Sequence, residues 1–317
     1  MYAGGLDGLD FVVQAVPDAG PVVGLYADLL GFEVARDQEP DPAATRLLGL
    51  PGVATRSVHL RRGSGIGGDV VVVEIPTLEP EPRRVPERRA GVYALDFYLR
   101  DAAATERALS EAGWAFVSEA VHYDLPGTDI PVRERMLVQH HSGLLHALVQ
   151  HRPRGTRSVL GTDEDGWSSE VVAVVVLTSD LPAARRFAAE VLGGHEYFAG
   201  TFAGPAIEEM LEYDAGEGLE ASLYRGPGSR NARLEFARPV DGSGRPLPLP
   251  SRPDRRVQPG IVVHDLDALL SRLDDGEHGR VAAVGDVDLL GPSRRAVRFD
   301  TSYDVSLMLV EAGAPVL

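Results

Sequence analysis

The sequence predicts an α+β fold of four βαβββ modules in two pairs. Three observations predict it. Long stretches of the chain repeat one another in element order, and the repeats keep their spacing across whole helices. Each helix is then followed by glycine-bounded runs of strand character.

The first module opens with the apolar run 9–16, which reaches Pro17-Asp18. Asp18 is suited to N-cap a helix, because its carboxylate can accept from backbone N–H groups of the first turn. That helix closes on Tyr26-Ala27-Asp28-Leu29-Leu30-Gly31, with Gly31 where a helix C-terminus favours a left-handed residue. Strand runs follow at 32–36, 55–61 and 69–75. The second module begins at 91–100, and Asp101 leads into a helix over 102–112. Its strands are expected at 114–118, 132–139 and 144–150. The third module restates the first: run 171–177 leads to Asp180, and the helix closes on Ala188-Ala189-Glu190-Val191-Leu192-Gly193. Asp18 to Asp180 and Gly31 to Gly193 are each 162 residues, so the helix length is preserved. Strands are expected at 195–199, 219–224 and 232–236. The fourth module runs from Gln258 to Asp265, which lies 164 residues after Asp101. A helix over 266–273 and strands at 281–284, 295–299 and 305–310 complete it.

Segments 76–90 and 239–257, rich in Pro, Arg and acidic residues, join the modules of a pair, and the polar segment 152–167 joins the pairs. The expected domains are therefore 1–151 and 168–317, with 152–167 as linker. Gly63-Ser64-Gly65-Ile66-Gly67-Gly68 reads as a hairpin connection. No Gly-Lys-Ser/Thr follows it, so a phosphate loop is not indicated.

Composition narrows the function. A formal charge of −16 opposes a nucleic-acid partner and docking on an anionic membrane, since both need a basic face. No apolar stretch is long enough to span a bilayer, and the N-terminus lacks a basic region followed by an apolar core. A cytoplasmic location is the expectation. The chain has no cysteine, which excludes disulfides, thiolate nucleophiles and Cys-ligated metals. It also has no lysine, all 31 basic residues being arginine, so lysine Schiff-base chemistry is excluded.

The paired strand–helix–three-strand unit resembles the vicinal oxygen chelate superfamily. That group includes glyoxalase I, methylmalonyl-CoA epimerase, type I extradiol dioxygenases, and bleomycin- and fosfomycin-resistance proteins. The phrases that carry it are Asp18…Tyr26-Ala27-Asp28-Leu29-Leu30-Gly31-Phe32-Glu33-Val34 and Asp180-Leu181-Pro182-Ala183-Ala184-Arg185-Arg186-Phe187…Leu192-Gly193. It spans essentially the whole chain in a four-module form, and it specifies fold far better than reaction. It implies that the modules pair into two cupped mixed β-sheet domains with helices on the outside, each cup of two modules set around a divalent metal held from the first and last strands of each module. The implied first-strand positions are Phe11, Ala94, Ala173 and Gln258; the last-strand positions are Glu74 or Val72, Ala147, Glu235 and Met308. So few donors lead to an expectation of no metal and no cofactor, with a divalent metal as the lesser option. A one-residue shift of frame would return His146 to the cup.

Asp96 lies two residues after Ala94 and so shares its face of the strand. Glu74 shares parity with Val72 and is placed in the same cup. Asp96, Glu74 and His146 are the candidate catalytic residues, since carboxyls and an imidazole in an apolar cavity suit general acid–base chemistry. The plainer alternatives are that Asp96 caps a turn or pairs with Arg133 or Arg135, and that His146 packs on the outer face. Phe11 and Tyr98 are candidate ligand-binding residues of the first cup. Glu235 and Gln258, expected to face each other in the second, are the other candidate ligand-binding residues. The expected function is metal-independent or atypically metallated acid–base chemistry, of isomerase, cyclase or lyase type, on a small organic metabolite. A sequestering, resistance-type binding protein is the alternative, and a metal-dependent dioxygenase or glyoxalase-like lyase the second one. The expected partner is a small organic ligand, with no nucleic acid and no membrane; a homodimer is left open.

Overall fold

A computed structural model describes residues 9–62, 67–79, 88–151, 168–226, 234–250, 255–273 and 276–313. The expected linker 152–167 and most of the 63–68 connection lie outside the described residues. The first module comprises β1 (Phe11–Val16), α1 (Ala19–Gly24), β2 (Glu33–Gln38), α2 (Pro42–Leu48), β3 (Arg56–Arg61) and β4 (Asp69–Glu74). The second comprises β5 (Gly91–Tyr98), α3 (Ala102–Glu111), β6 (Ala115–Phe116), β7 (Val121–Asp124), β8 (Pro131–Gln139) and β9 (Leu144–His151). The third has β10 (Ala173–Leu177), α4 (Leu181–Arg186), β11 (His195–Ala203), α5 (Pro205–Leu211), β12 (Gly218–Arg225) and β13 (Leu234–Val240). The fourth has β14 (Val257–Val263), α6 (Leu266–Leu273), β15 (Gly279–Val287), β16 (Arg294–Thr301) and β17 (Ser306–Glu311).

The four capping aspartates act as their positions predict. Asp18 accepts from the Gly20 N–H at 2.9 Å, Asp101 from Ala104 at 3.0 Å, Asp180 from Ala183 at 3.0 Å and Asp265 from Ala268 at 2.8 Å. Gly31 and Gly193 take φ of +74° and +67°, the left-handed conformation that lets the chain leave the helix. A π-helical turn extends α1 over Leu25–Leu29 and α4 over Phe187–Val191, at matching places in the two modules.

The pairing of modules differs from the expectation. One sheet has the order β15-β16-β17-β14-β1-β4-β3-β2, so the first module pairs with the fourth. The other has the order β11-β12-β13-β10-β5-β9-β8-β6, so the second pairs with the third. The physical reason lies at the two seams. β1 runs antiparallel to β14, with Phe11 opposite Gly260, and the Asp10 carboxylate accepts from the Val262 N–H at 2.7 Å. β5 runs antiparallel to β10, with Asp96 opposite Ala173. The connections after β4 and after β13 therefore cross between sheets instead of joining modules within one. A single core unites residues of both sheets with α1, α3, α4 and α6, which lie between the sheets on the faces away from the cups.

Two further helices, α2 and α5, follow the second strand of their modules, where the sequence reading places only connections. The start signals are Asp41 as N-cap before Pro42, and Pro205 at the opposite point of the third module. They close the two cups. Ala44, Leu47 and Leu48 of α2 join Phe11, Val13, Ala15, Met308 and Val310 in a packed cluster that fills the first-and-fourth-module cup. Gly260 sits beneath Phe11, where an added Cβ would lie 2.2 Å from the ring, so the seam requires glycine.

Candidate functional site

The cup of the second and third modules is open where its counterpart is filled. It encloses a cavity of about 190 Å³. Alternation along β5 sends Ala94, Asp96 and Tyr98 into it, while Leu95 and Phe97 join the core between the sheets. Along β8, Val132, Glu134 and Met136 face the cavity. On the opposite face of that strand, Arg133 and Arg135 bond to Glu106 of α3 at 2.9 and 3.4 Å. Asp96 therefore does not pair with either arginine. β9 contributes Val149 and His151, and β13 contributes Glu235. From the third module Tyr197, Phe198 and Phe202 complete the aromatic wall, with Ile207, Met210 and Leu211 of α5 across the mouth.

A register shift in the β5–β10 pairing leaves Tyr93 as the extra residue, since Val175 is opposite Ala94 and Val176 is opposite Val92. This bulge turns Tyr93 into the cup beside Ala94, against strict alternation. Tyr93 is 2% exposed, and its hydroxyl finds no hydrogen-bond partner among the described residues.

Three carboxyl groups thus share one apolar cavity. Burial pushes Asp96 well above the usual carboxylate range, and the neighbouring Glu235 and Glu134 push it further. Burial raises Glu134 to about 7, against a hydrogen bond donated by the Tyr123 hydroxyl that lowers it. Burial, then Glu134, raises Glu235 to about 8. Desolvation disfavours the charged form and like charges disfavour it again, so all three are raised and each depends on the others. His151 is shifted the other way, lowered by burial.

Of the residues singled out by sequence, Asp96, Tyr98 and Glu235 come together here. The others do not. Glu74 lies on the helix side of β4 in the other sheet, where it accepts from the Ala19 N–H at 3.0 Å and the Thr55 hydroxyl at 2.8 Å. Its parity with Val72 holds, but Val72 itself faces the core between the sheets. His146 also points away from the cup. It is stacked on Phe97 and bonded at 2.7 Å to the Tyr26 hydroxyl, and burial lowers it to about 3. Tyr26 accepts in turn from Gln14, which bonds Gln139, so this network ties the two sheets together. Phe11 is core in the filled cup. Gln258 lies in that cup too, donating to the carbonyls of Leu48 at 2.8 Å and Arg255 at 2.9 Å, and does not meet Glu235.

Sequence reasoning missed Glu134 and Tyr93. Glu134 had a signal: in Val132-Arg133-Glu134-Arg135-Met136 it shares parity with Val132 and Met136. Tyr93 had none, because a bulge depends on the partner strand.

The metal that the resemblance implies does not fit these donors. Of its positions in this cup, Ala94, Ala147 and Ala173 have no ligand atom and only Glu235 has one. Among the described residues no group of three or more His, Asp or Glu side chains is arranged to hold a metal ion.

No protein-family model matches the sequence, and no curated protein matches it. Solved structures do. Glyoxalase I from Zea mays superposes with a TM-score of 0.62 at 13% identity, covering 98% of this chain and 92% of that one. A candidate dioxygenase from Bacillus subtilis subsp. subtilis str. 168 superposes with a TM-score of 0.59 at 11% identity, covering 98% and 87%. At these identities the likeness is one of fold.

Proposed function

We propose that this chain, whose fold is that of the vicinal oxygen chelate superfamily, binds a small organic molecule in its open cup and moves protons on it. Asp96, Glu134 and Glu235 are the acid–base groups. The observation that carries this reading is the gathering of these carboxyls in one apolar cavity, with Glu134 at about 7 and Glu235 at about 8. Ordinary carboxylates are ionised at neutral pH and poor proton donors, whereas groups tuned to this range can both give and take protons. Ionised and protonated members of the set coexist near pH 7. An ionised carboxylate takes a proton from an acidic C–H of the ligand, and a protonated neighbour returns one to another atom of the same molecule. The net change is an isomerisation, or an elimination when a leaving group departs with the returned proton. Neither needs an oxidant. Tyr123 orients Glu134 through its hydrogen bond, and the aromatic wall excludes water from the transfer.

Incubating the protein with metabolite mixtures in D₂O tests this by mass spectrometry. The parent protein should convert one component or label it with deuterium. Asp96→Asn and Glu235→Gln should each slow that step by about 10²–10⁴-fold while weakening binding far less. If both variants exchange at the parent rate, the carboxyls are not the acid–base groups. The dense aromatic lining, with Phe198 and Phe202 at 5.6 Å between centroids, favours a sequestering binder as second reading. Tight binding with neither conversion nor exchange would support that reading.

A further inference from the structure

We infer that the molecule held by this cup is an organic cation, an ammonium or amidinium group on a flat apolar body, seated with its charge among Asp96, Glu134 and Glu235. The inference rests on the reading of the cup as the ligand site. Its first support is how this protein treats buried acids elsewhere. Glu106, 5% exposed, is matched by Arg133 and Arg135. Asp69, 8% exposed, is matched by His59 at 2.7 Å and Arg61 at 3.3 Å. Glu134 and Glu235 are as deeply buried, at 7% and 6%, yet no basic group among the described residues is set against them.

The cavity wall has no arginine among the described residues, and the chain has no lysine. Its one imidazole among the described residues, His151, has its charged form disfavoured by burial, and both ring nitrogens lack partners among the described residues. Two arginines near the wall are turned to other uses. Arg88 pairs with Glu217 and lies 4.0 Å over the Tyr213 ring, and Arg225 lies 5.1 Å over Tyr197. A positive charge for the three carboxyls therefore has to arrive with the ligand.

The second support is independent of charge. Tyr93, which its bulge brings to the cavity wall, carries a hydroxyl with no hydrogen-bond partner among the described residues, and leaving such a group unsatisfied is costly. An ammonium N–H that donates to its oxygen gives that oxygen a partner and lowers the cost. The third is the wall itself. The rings of Tyr98, Tyr123, Tyr197, Phe198 and Phe202 offer faces that attract a cation and bury a flat body. An anionic ligand would add charge of the same sign. A neutral one would leave the carboxyls protonated and mostly without partners. When a cation binds, carboxyls that were protonated ionise, so binding at pH 7 releases protons.

Calorimetry at pH 7, in two buffers that differ in ionisation heat, decides the matter. The probes are benzylamine, phenethylamine and tryptamine, with 2-phenylethanol and 3-phenylpropionate as neutral and anionic counterparts. At least one amine should bind about 10-fold or more tighter than 2-phenylethanol, with proton release, and 3-phenylpropionate should bind weakest. Asp96→Asn and Glu235→Gln should abolish the preference for amine over alcohol. Tyr93→Phe should weaken the primary amines by roughly 3–10-fold and leave benzyltrimethylammonium, which has no N–H, unchanged. Equal affinity for amine and alcohol, preference for the carboxylate, or failure of every amine to bind would overturn the inference. So would Mn²⁺ alone binding with proton release and displacing the amines, since the cup would then be a metal site. Loss of amine selectivity with exchange in D₂O intact sinks the cation and leaves the acid–base reading standing. Amine binding without conversion or exchange does the reverse.

Discussion

Glu235 couples the open cup to the stability of the whole protein. Burial raises its carboxyl to about 8 in the folded chain, from an ordinary value of 4.5 when exposed. Between those limits the native state holds the extra proton, so stability is full below about 4.5 and is lost as pH rises through about 8. Glu134 adds a similar slope ending near 7. Replacing Glu235 with glutamine removes the charge that must be buried. Glu235→Gln should therefore raise Tm by roughly 3–10 °C at pH 8.5 and by less than ~2 °C at pH 4.5. Melting curves across pH test this; parallel curves for parent and variant would show that Glu235 is not strained by burial. At this scale the sequence was partly legible. Asp96 could be placed because strand alternation is local, and Glu134 could have been placed in the same way. His146 obeyed alternation as well, but which face is the cup depends on where the helices pack. Tyr93 was beyond reach, since its direction is set by an irregular pairing with β10.

The cups show how an element's surroundings decide its use. Both have a short helix across the mouth and antiparallel first strands at the base. In one, Phe11 lies over Gly260 and α2 fills the space, its carbonyls at Leu47 and Leu48 bonded by Arg298 and Gln258 at 2.9 and 2.8 Å. In the other, Asp96 and Glu235 stand on the wall and α5 leaves a cavity. Gly260→Ala should drive a methyl into the Phe11 ring and cost about 1–3 kcal/mol in denaturant unfolding, with ligand binding in the open cup unchanged. A fully stable variant would show that the seam can yield. The main helices were readable from sequence because a capping Asp and a terminal glycine mark their ends. The helices α2 and α5 carried weaker signals, an Asp-Pro and a Gly-Pro step that serve turns equally well.

At the scale of the molecule the order of modules was legible and their pairing was not. Repeats report what each unit is, whereas the partner of an edge strand is chosen by contacts between units far apart in sequence. Because β1 pairs with β14 and β5 with β10, neither half can complete a sheet alone. Residues 1–151 expressed alone should be unfolded, aggregated or self-paired, and co-expression with 168–317 should restore a 1:1 complex by size-exclusion chromatography. A well-folded monomeric half would contradict the cross-pairing. The contrast between the cups then has a consequence for mass action. In the filled cup the chain is its own occupant, tethered at a fixed effective concentration, so the stability of that sheet does not depend on a dissolved ligand. The open cup has no tethered occupant, and whatever binds there adds stability in proportion to the logarithm of its concentration above Kd. One sheet of this protein has its stability written into its covalent structure; the other takes part of its own from the composition of the surrounding solution.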